Sequence, residues 1–239
     1  MNATPLNAPV LPVFATNSIL DTVRGQIVAE LPTADTAVAS YLVAHSSRND
    51  AAFEAFSEHQ LSGPPSAGVQ SREFSELHQL QDGRTAPDTS TATFYDKNGQ
   101  SNVWQNYLTA WQRTVPAAQA KAGARLLSDA LTITGDATKE AKRNWARTRP
   151  YAADSSLKPI VVDPMDAQHS YPSGHVSSSF AAAAVLAHLM PDRAAEFEQT
   201  AEQVAFARIY SVVHFPSDVV AGAQLGRMVG DYAISLDGR

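Results

Sequence analysis

Apolar residues spaced three and four apart recur along most of this chain, and this spacing constrains the fold more than any other feature. Such residues fall on one stripe of a helix. The first stripe consists of Ile19, Leu20, Val23, Ile27 and Leu31. The only run typical of a strand is residues 160–162, Ile-Val-Val. The sequence therefore predicts an all-α fold, a single helical-bundle domain.

Prolines, glycines and capping residues divide this pattern into elements. Pro5, Pro9 and Pro12 predict an extended N-terminal arm over residues 1–16, because proline fixes φ and lacks a backbone donor. Loops are expected at 63–66 and 82–88. In the first half of the chain, helices are expected at about 17–30, 33–45, 49–56 and 74–80.

In the second half, a long helix is expected over 103–134, and Pro116 kinks or divides it. Asp136 is expected to cap the next helix, which ends near Pro150. The remaining helices are expected at about 173–191, 193–213 and 216–234. Residues 17–239 are predicted to form one domain, with the chemical motifs described below in 142–218.

Composition excludes several classes of protein. A net charge of −6 argues against a nucleic-acid binder, which usually has a basic surface. Without cysteine, disulfides, thiolate metal ligands and a cysteine nucleophile are excluded. The richest apolar stretch, residues 180–190, is shorter than the ~20 residues that cross a bilayer. We therefore expect a buried helix there and a chain that does not span a membrane.

The first cluster of functional residues is Lys142 and Arg149-Pro150. Residues seven apart lie on nearly the same face of a helix, so both cations could hold one anion, and arginine can do so through two N–H groups. Pro150 is expected to end this helix. The alternative is a solvated basic face, because the same stretch also contains Lys139, Arg143 and Arg147.

The second cluster is Pro172-Ser173-Gly174-His175, which precedes an alanine-rich stretch. Ser173 at a helix N-cap leaves the following backbone N–H groups free to bind an anion, and Gly174 allows close approach. His175 would lie in the first turn, where it can donate a proton. The alternative is an ordinary helix cap followed by an exposed histidine.

The third cluster is Arg208, His214 and Asp218. Because Pro216 disfavours helical geometry at the residue before it, His214 is expected to end one helix and Asp218 to begin the next. Across that corner the carboxylate could accept the Nδ1–H of His214 and leave Nε2 as a nucleophile or base. The alternative is a capping histidine beside a surface aspartate.

In combination, the clusters form the pattern K-x6-R-P, P-S-G-H and R-x5-H-x3-D. With this pattern the chain resembles the phosphatidic acid phosphatase type 2 superfamily. Within that superfamily it resembles the soluble branch, the bacterial class A non-specific acid phosphatases. These are related to vanadium haloperoxidases. The resemblance covers residues 142–218. One departure is Ala207, where the phosphatase signature usually has serine. The fold implied is the helical bundle of the acid phosphatase and vanadium haloperoxidase type.

The resemblance implies a metal-independent phosphatase that hydrolyses phosphomonoesters. His214 would attack phosphorus to form a phosphohistidine, Asp218 would hold its tautomer, and His175 would act as general acid and base. The phosphate oxygens would be bound by Lys142, Arg149, Ser173, Gly174 and Arg208. No metal and no cofactor are implied, and vanadate is expected to inhibit.

Three alternatives remain open. A vanadium-dependent haloperoxidase would use vanadate as its cofactor, a lipid or isoprenoid phosphatase would act on a (di)phosphate, and a helical phosphate-binding module would have no activity. The expected partner is a small-molecule phosphoester, and a homodimer is possible. The expected location is the periplasm or the exterior, with a signal peptide already removed, although the cytoplasm stays open.

Other polar residues of the first half are expected to be surface or packing residues rather than parts of the site. They are His45, His59, His78, Arg72 and Glu73. The same reasoning places Trp104 and Trp111 in the core.

Overall fold

A computed structural model describes residues 10–162 and 169–237, and the regular structure in these ranges is helical. This confirms the predicted all-α class. The helices are α1 Ser18–Ala44, α2 Asp50–His59, α3 Ala67–Asp82, α4 Ala86–Asn98, α5 Asn102–Gln112, α6 Ala117–Trp145, α7 Pro150–Ala153, α8 Gly174–Leu189, α9 Ala194–Tyr210 and α10 Pro216–Leu236, with a 3-10 turn at Pro191–Arg193.

Helix α8 is the centre of the fold. Between Val176 and Leu186 every side chain except Ala184 is buried, and the helix packs against α6, α9 and α10. A helix that is apolar on all sides belongs in a core. The alanine-rich stretch is therefore the buried helix that the sequence predicted, and Trp104 and Trp111 are likewise buried.

Helix α10 lies unusually close to α8 because three glycines, Gly222, Gly226 and Gly230, face it at intervals of four residues. A Cβ atom on Gly222 would lie 2.8 Å from the carbonyl oxygen of Ser173, and one on Gly230 would lie 2.7 Å from Cβ of Ala184. At Gly226 the collision would be with the backbone carbonyl of Ser177. This contact fixes the N-termini of α8 and α10 side by side.

We expect Gly226→Ala to destabilise the fold by about 2 kcal/mol or more, because a backbone oxygen cannot move aside as a flexible side chain can. Gly25→Ala is the matched control, since nothing lies within 4 Å of its added Cβ, and it should stabilise α1 by about 0.5 kcal/mol. Urea unfolding of both variants measures the difference. Equal stabilities would show that α8 and α10 do not require the close contact.

Several predicted boundaries were wrong. The helices expected at 17–30 and 33–45 are one helix, α1, with Pro32 inside it. Residues 86–88, expected in a loop, begin α4, because Thr85 caps its N-terminus and Pro87 lies where a backbone N–H is not needed. Asp136 caps nothing, since α6 continues through it. The strand candidate at 160–162 has irregular backbone.

The predicted N-terminal arm falls in part on residues 1–9, which lie outside the described residues. Residues 10–17 are irregular and dock on the bundle: the hydroxyl of Tyr95 donates to the carbonyl of Pro12 at 2.8 Å, and Phe14 N donates to Gln203 at 2.8 Å. The division into an arm and one domain over 17–239 stays a prediction.

Helix α1 bears on the membrane question. Among the described residues it is the one helix long and apolar enough to cross a bilayer, and 28% of its apolar window is buried. Its buried stripe packs against α10. A core helix of a soluble protein or a signal sequence can also be this long and this apolar. That the chain does not span a membrane therefore stays a prediction.

Candidate active site

The fold brings all three clusters together at the N-terminal ends of α8 and α10. Nη1 of Arg149 lies 3.1 Å from Nε2 of His214, and Nδ1 of His214 lies 3.3 Å from Oδ2 of Asp218. The backbone N–H of Ser173 donates to the carbonyl of Asp218 at 2.9 Å. Clusters that are distant in sequence thus meet through direct hydrogen bonds.

The seven-residue spacing predicted that the two cations of the first cluster lie on one helix face, and this prediction was wrong. Helix α6 ends at Trp145, and Ala146 turns the chain with a left-handed φ of 47°. Pro150 does not end a helix; it begins α7, with Arg149 at the N-cap. Lys142 is in the last turn of α6, where Nζ donates to the carbonyl of His169 at 2.6 Å. The two cations therefore approach the site from different elements.

The hydrogen bonds of His214 fix its neutral tautomer. A guanidinium can only donate, so Nε2 must accept from Arg149 and Nδ1 must carry the hydrogen. That hydrogen points to the Asp218 carboxylate, whose Oδ2 also accepts from Phe215 N at 2.9 Å. Nε2 therefore carries the lone pair, which accepts from Arg149 in this structure. An anionic substrate that takes over the Arg149 donor would leave this lone pair available for nucleophilic attack.

A tight turn after α9 holds His214 in place. Val212 has a φ of 52°, a left-handed conformation that costs about 1–3 kcal/mol for a β-branched residue. The turn is closed by the N–H groups of Val213 and His214, which donate to the carbonyl of Arg208 at 3.2 and 3.3 Å. The packing of the surrounding buried residues must offset this strain. Because the turn is closed by these two hydrogen bonds, it holds the imidazole in one position.

Ser173 and Gly174 form the N-terminus of α8, as predicted. Ser173 is the N-cap residue but makes no side-chain cap hydrogen bond, and its buried Oγ has no partner among the described residues. A Cβ added at Gly174 would lie 3.9 Å from Cε of Lys142. A buried hydroxyl without a partner is costly, and here it lies at a positive helix end beside a lysine. The arrangement suits an anion.

His175 contacts Asp96, a residue of α4. Nε2 of His175 lies 3.3 Å from the backbone carbonyl of Asp96, which can only accept, so Nδ1 is the atom that gains or loses a proton. The side chain of Asp96 contacts Nη1 of Arg208 and accepts from Ser211 at 2.6 Å. Asp96 therefore positions both a histidine and an arginine of the site.

Burial and positive charge lower the pKa of both histidines well below 6.5. For His214 the causes are desolvation first, then Arg149, Lys142, Arg208 and His175. For His175 they are desolvation first, then Arg208, Arg149 and Lys142, partly offset by the Asp96 carbonyl. Both shifts favour the neutral imidazoles. A bound anion would offset the cations and raise both pKa values.

Sequence reasoning missed three residues of this network. Arg147, which entered the sequence analysis only in the alternative of a solvated basic face, is 6% exposed and bonds to Asp218. Glu73, expected to be a surface or packing residue, is 4% exposed and bonds to Arg147. Asp96 was not considered. Local spacing contains no signal for these pairs, because they join residues 71 to 115 positions apart.

The other polar residues of the first half that were expected to be surface or packing residues are so in the structure. His45, His59 and Arg72 are exposed and His78 is half-buried. Among the described residues, no group of three or more His, Asp or Glu is placed to hold a metal ion. A cavity of about 670 Å³ lies between α1, α3 and α10, but its lining contains none of the eight predicted site residues.

Known proteins resemble the part of the chain that forms this site. The PAP2 superfamily model matches residues 123–236, a range that contains all three clusters. An acid phosphatase of Zymomonas mobilis is 32% identical over 166 residues, 67% of this chain and 61% of that protein. A non-specific acid phosphatase of Salmonella typhimurium is 34% identical over 104 residues, 42% of each. The chain thus spans less than two thirds of the length of these relatives.

Solved structures share the fold. A bacterial vanadium-dependent iodoperoxidase superimposes with a TM-score of 0.61 at 19% identity, over 73% of this chain and 52% of that one. LpxE of Aquifex aeolicus gives 0.56 at 21% identity, over 67% and 93%. A transmembrane phosphatidylglycerolphosphate phosphatase of Bacillus subtilis gives 0.52 at 18% identity, over 79% and 94%. At these identities the likeness concerns the fold, and the predicted bundle type is confirmed.

Proposed function

We propose that this chain, whose residues 123–236 match the PAP2 superfamily model, is a phosphatase that hydrolyses phosphomonoesters through a phosphohistidine at His214. The observation that carries the proposal is the hydrogen-bonded chain Arg149–His214–Asp218. It leaves a neutral imidazole with its lone pair on Nε2, beside a cation that can bind phosphate. The names of the relatives, acid phosphatases, support the same reaction.

The first chemical step transfers the phosphoryl group to the enzyme. Nε2 of His214 attacks phosphorus, the N–P bond forms and the ester P–O bond breaks. Protonated His175 gives its proton to the departing alkoxide. Asp218 stabilises the imidazolium character that develops on His214. Phosphoryl transfer depends mainly on positioning and charge stabilisation, for which the proposed donors are Lys142, Arg149, Arg208, the Ser173 hydroxyl and the Gly174 amide. The predicted Ser173 amide is not among them, because it donates to the carbonyl of Asp218.

The second step releases phosphate. Neutral His175 takes a proton from water as the water attacks phosphorus, and the N–P bond breaks. His214 returns to its neutral tautomer with Nδ1–H on Asp218, and His175 is again protonated for the next cycle. The hydroxyl of Ser173, which lacks a partner among the described residues, is proposed to donate to a phosphate oxygen throughout.

The direct test is hydrolysis of p-nitrophenyl phosphate by protein dialysed against EDTA. We expect metal-independent release of phosphate and inhibition by vanadate, which resembles the five-coordinate phosphorus of the transition state. No phosphate release from any monoester or diphosphate would refute the proposal. Peroxide-dependent halide oxidation that requires added vanadate would favour the haloperoxidase alternative. Tight phosphate binding without turnover would favour the module without activity.

The pH dependence of the two kinetic parameters should differ in a defined direction. His175 must be protonated to act as an acid, and its pKa is lowered in the anion-free site. Therefore kcat/KM should fall as pH rises through that lowered pKa. A bound phosphate dianion offsets the three cations and raises the pKa of His175, so the alkaline limb of kcat should lie at higher pH than that of kcat/KM.

The experiment uses an alkyl phosphomonoester, because its poor leaving group needs the proton of His175. The control is His175→Ala, assayed with the same substrate. Ionisation of the substrate still shapes its profile, but the alkaline limb of kcat should be absent. If wild type and His175→Ala have the same alkaline limb in kcat, His175 is not the proton donor.

Location, assembly and substrate size belong to the same proposal. A small soluble phosphoester is the proposed substrate, the protein is proposed to act in the periplasm or outside the cell, and a homodimer is the proposed assembly. Fractionation and light scattering of the natural protein test the last two. An accumulation of the protein in the membrane fraction would instead favour the lipid or isoprenoid phosphatase.

A further inference from the structure

Arg147 is the centre of a second charged network, on the side of Asp218 that does not face His214. Its Nη1 donates to Oδ1 of Asp218 at 2.6 Å and to Ser217 Oγ at 2.8 Å. Its Nη2 donates to Oε2 of Glu73 at 2.8 Å. The guanidinium carbon lies 3.8 Å from the centre of the Phe215 ring. Nη2 also donates to Oε1 of Gln70 at 3.1 Å. Five groups thus fix this arginine, three of them on the segment that follows His214.

Glu73 ties the network to a different helix, α3. Besides Arg147, it accepts from the backbone N–H of Ser217 at 2.7 Å through Oε1. Phe74, the next residue, packs edge-on against Phe215 with ring centres 5.0 Å apart. The side chains of Glu73, Arg147 and Asp218 are all less than a tenth exposed. Helix α3 therefore contributes to the site although it contains none of the predicted motif residues.

We propose that Arg147, held by Glu73, is a positioning residue that keeps the Asp218 carboxylate ionised and aimed at Nδ1 of His214. The inference rests on the phosphatase function proposed above. Its physical basis is that a carboxylate buried without a cation takes up a proton. A protonated Asp218 could still accept a hydrogen bond, but it would no longer stabilise the positive charge that His214 acquires on attack.

The two neighbouring charges, Arg147 and Glu73, make opposite contributions to the pKa of Asp218. Burial raises the pKa of Asp218, and the net shift is upward. The charge of Arg147, the N–H of Phe215 and the hydrogen bond from Arg147 oppose the rise, while Glu73 adds to it. Other charged or titratable groups also act on the His214–Asp218 pair. They are Tyr171 beside Asp218, and Arg149, Lys142, Arg208 and His175 around His214.

This balance predicts opposite effects for the two partners of Asp218. Arg147→Gln removes the cation and leaves two buried carboxylates, so the His214–Asp218 pair should bind a proton at least about tenfold more tightly, a rise of about one pH unit. Glu73→Gln removes an anion and leaves the Arg147–Asp218 pair intact, so the proton affinity should fall. A residue with only a structural role would not produce effects of opposite sign.

The experiment is a pH titration of histidine-15N-labelled full-length protein, with the His214 signals identified by their loss in His214→Gln. Two-bond 1H–15N spectra distinguish Nδ1–H from Nε2–H, so the tautomer and the proton uptake are read without turnover. Arg143→Gln is the matched control. Arg143 lies four residues before Arg147, and its exposed side chain pairs with Glu140. The substitution removes the same charge, and its titration should match wild type.

Two further variants keep the outcome decisive. Arg147→Lys retains the charge, so its shift should be smaller than that of Arg147→Gln. The double variant Glu73→Gln/Arg147→Gln leaves one buried carboxylate instead of two and should shift less than Arg147→Gln, and it serves if Arg147→Gln alone does not fold. In kinetics, the acidic limb of kcat/KM should move in the same directions, and Arg147→Gln should lower kcat on the order of 10²-fold.

The inference is overturned if Arg147→Gln leaves the proton affinity at the wild-type value, or if Glu73→Gln raises it as much. Failure of the proposed function looks different. In that case wild-type protein releases no phosphate, or His214→Gln retains activity, while the titration still reports whether Arg147 controls the charge of the His214–Asp218 pair.

Discussion

His214→Ala should lower kcat for p-nitrophenyl phosphate by about four orders of magnitude or more, because it removes the atom that would form the covalent intermediate. The cations and the α8 N-terminus would remain, so substrate should still bind and KM should change little. Stopped assays of phosphate release at high enzyme concentration measure the loss.

His188→Ala is the matched control for this change. His188 is an exposed residue near the end of α8, and surface substitutions of this kind usually change stability by less than about 0.5 kcal/mol. It should have wild-type activity. If His214→Ala folds, as judged by circular dichroism and thermal unfolding, and retains more than about one hundredth of wild-type kcat, nucleophilic catalysis by His214 is excluded.

Asp218→Asn should lower kcat on the order of 10³- to 10⁴-fold, the second largest effect, with only an isosteric change. Both carboxylate oxygens accept: Oδ1 from Arg147, and Oδ2 from Phe215 N and His214 Nδ1. An amide has one accepting oxygen, so its NH₂ group must face either Arg147 or the Phe215 and His214 donors. The first orientation places two donors together, and the second favours the wrong His214 tautomer.

The control is Asp192→Asn, the same substitution at an exposed position in the 3-10 turn after α8. It should leave kcat unchanged. The pre-steady-state rate of p-nitrophenol release locates the Asp218→Asn defect, which should be in formation of the phosphoenzyme. A defect confined to phosphate release, with normal p-nitrophenol formation, would contradict the role assigned to Asp218.

The parts of the fold that the sequence predicted are those set by local periodicity and caps. The buried α8, the division of α5 from α6 near Pro116 and the start of α10 at Pro216 all follow from such signals. The end of α6 did not, because the left-handed turn at Ala146 is made by an alanine, which by itself does not favour that conformation. The error placed Lys142 and Arg149 on one helix face.

The charged partners of the site could not be predicted for a different reason. Asp96, Glu73 and Arg147 are distant in sequence from the residues that they hold, and each looks like an ordinary surface charge in its own segment. Only the packing of α3 and α4 against the motif-bearing half of the chain makes them buried ion pairs. Buried charges of this kind are costly unless paired. Their partners are distant in sequence, so a structure is needed to find the pairs.

The central claim, a covalent phosphohistidine at His214, is tested most directly by trapping it. His175→Ala protein should be used with p-nitrophenyl phosphate, because this good leaving group departs with little help from an acid, whereas hydrolysis of the intermediate lacks its base. The reaction is quenched in alkali, in which phosphohistidine survives, and the digested protein is mapped by mass spectrometry. The account predicts phosphate on the His214 peptide, more in His175→Ala than in wild type and none in His214→Gln. Turnover with no phosphorylated peptide, or with phosphate on another residue, would contradict it.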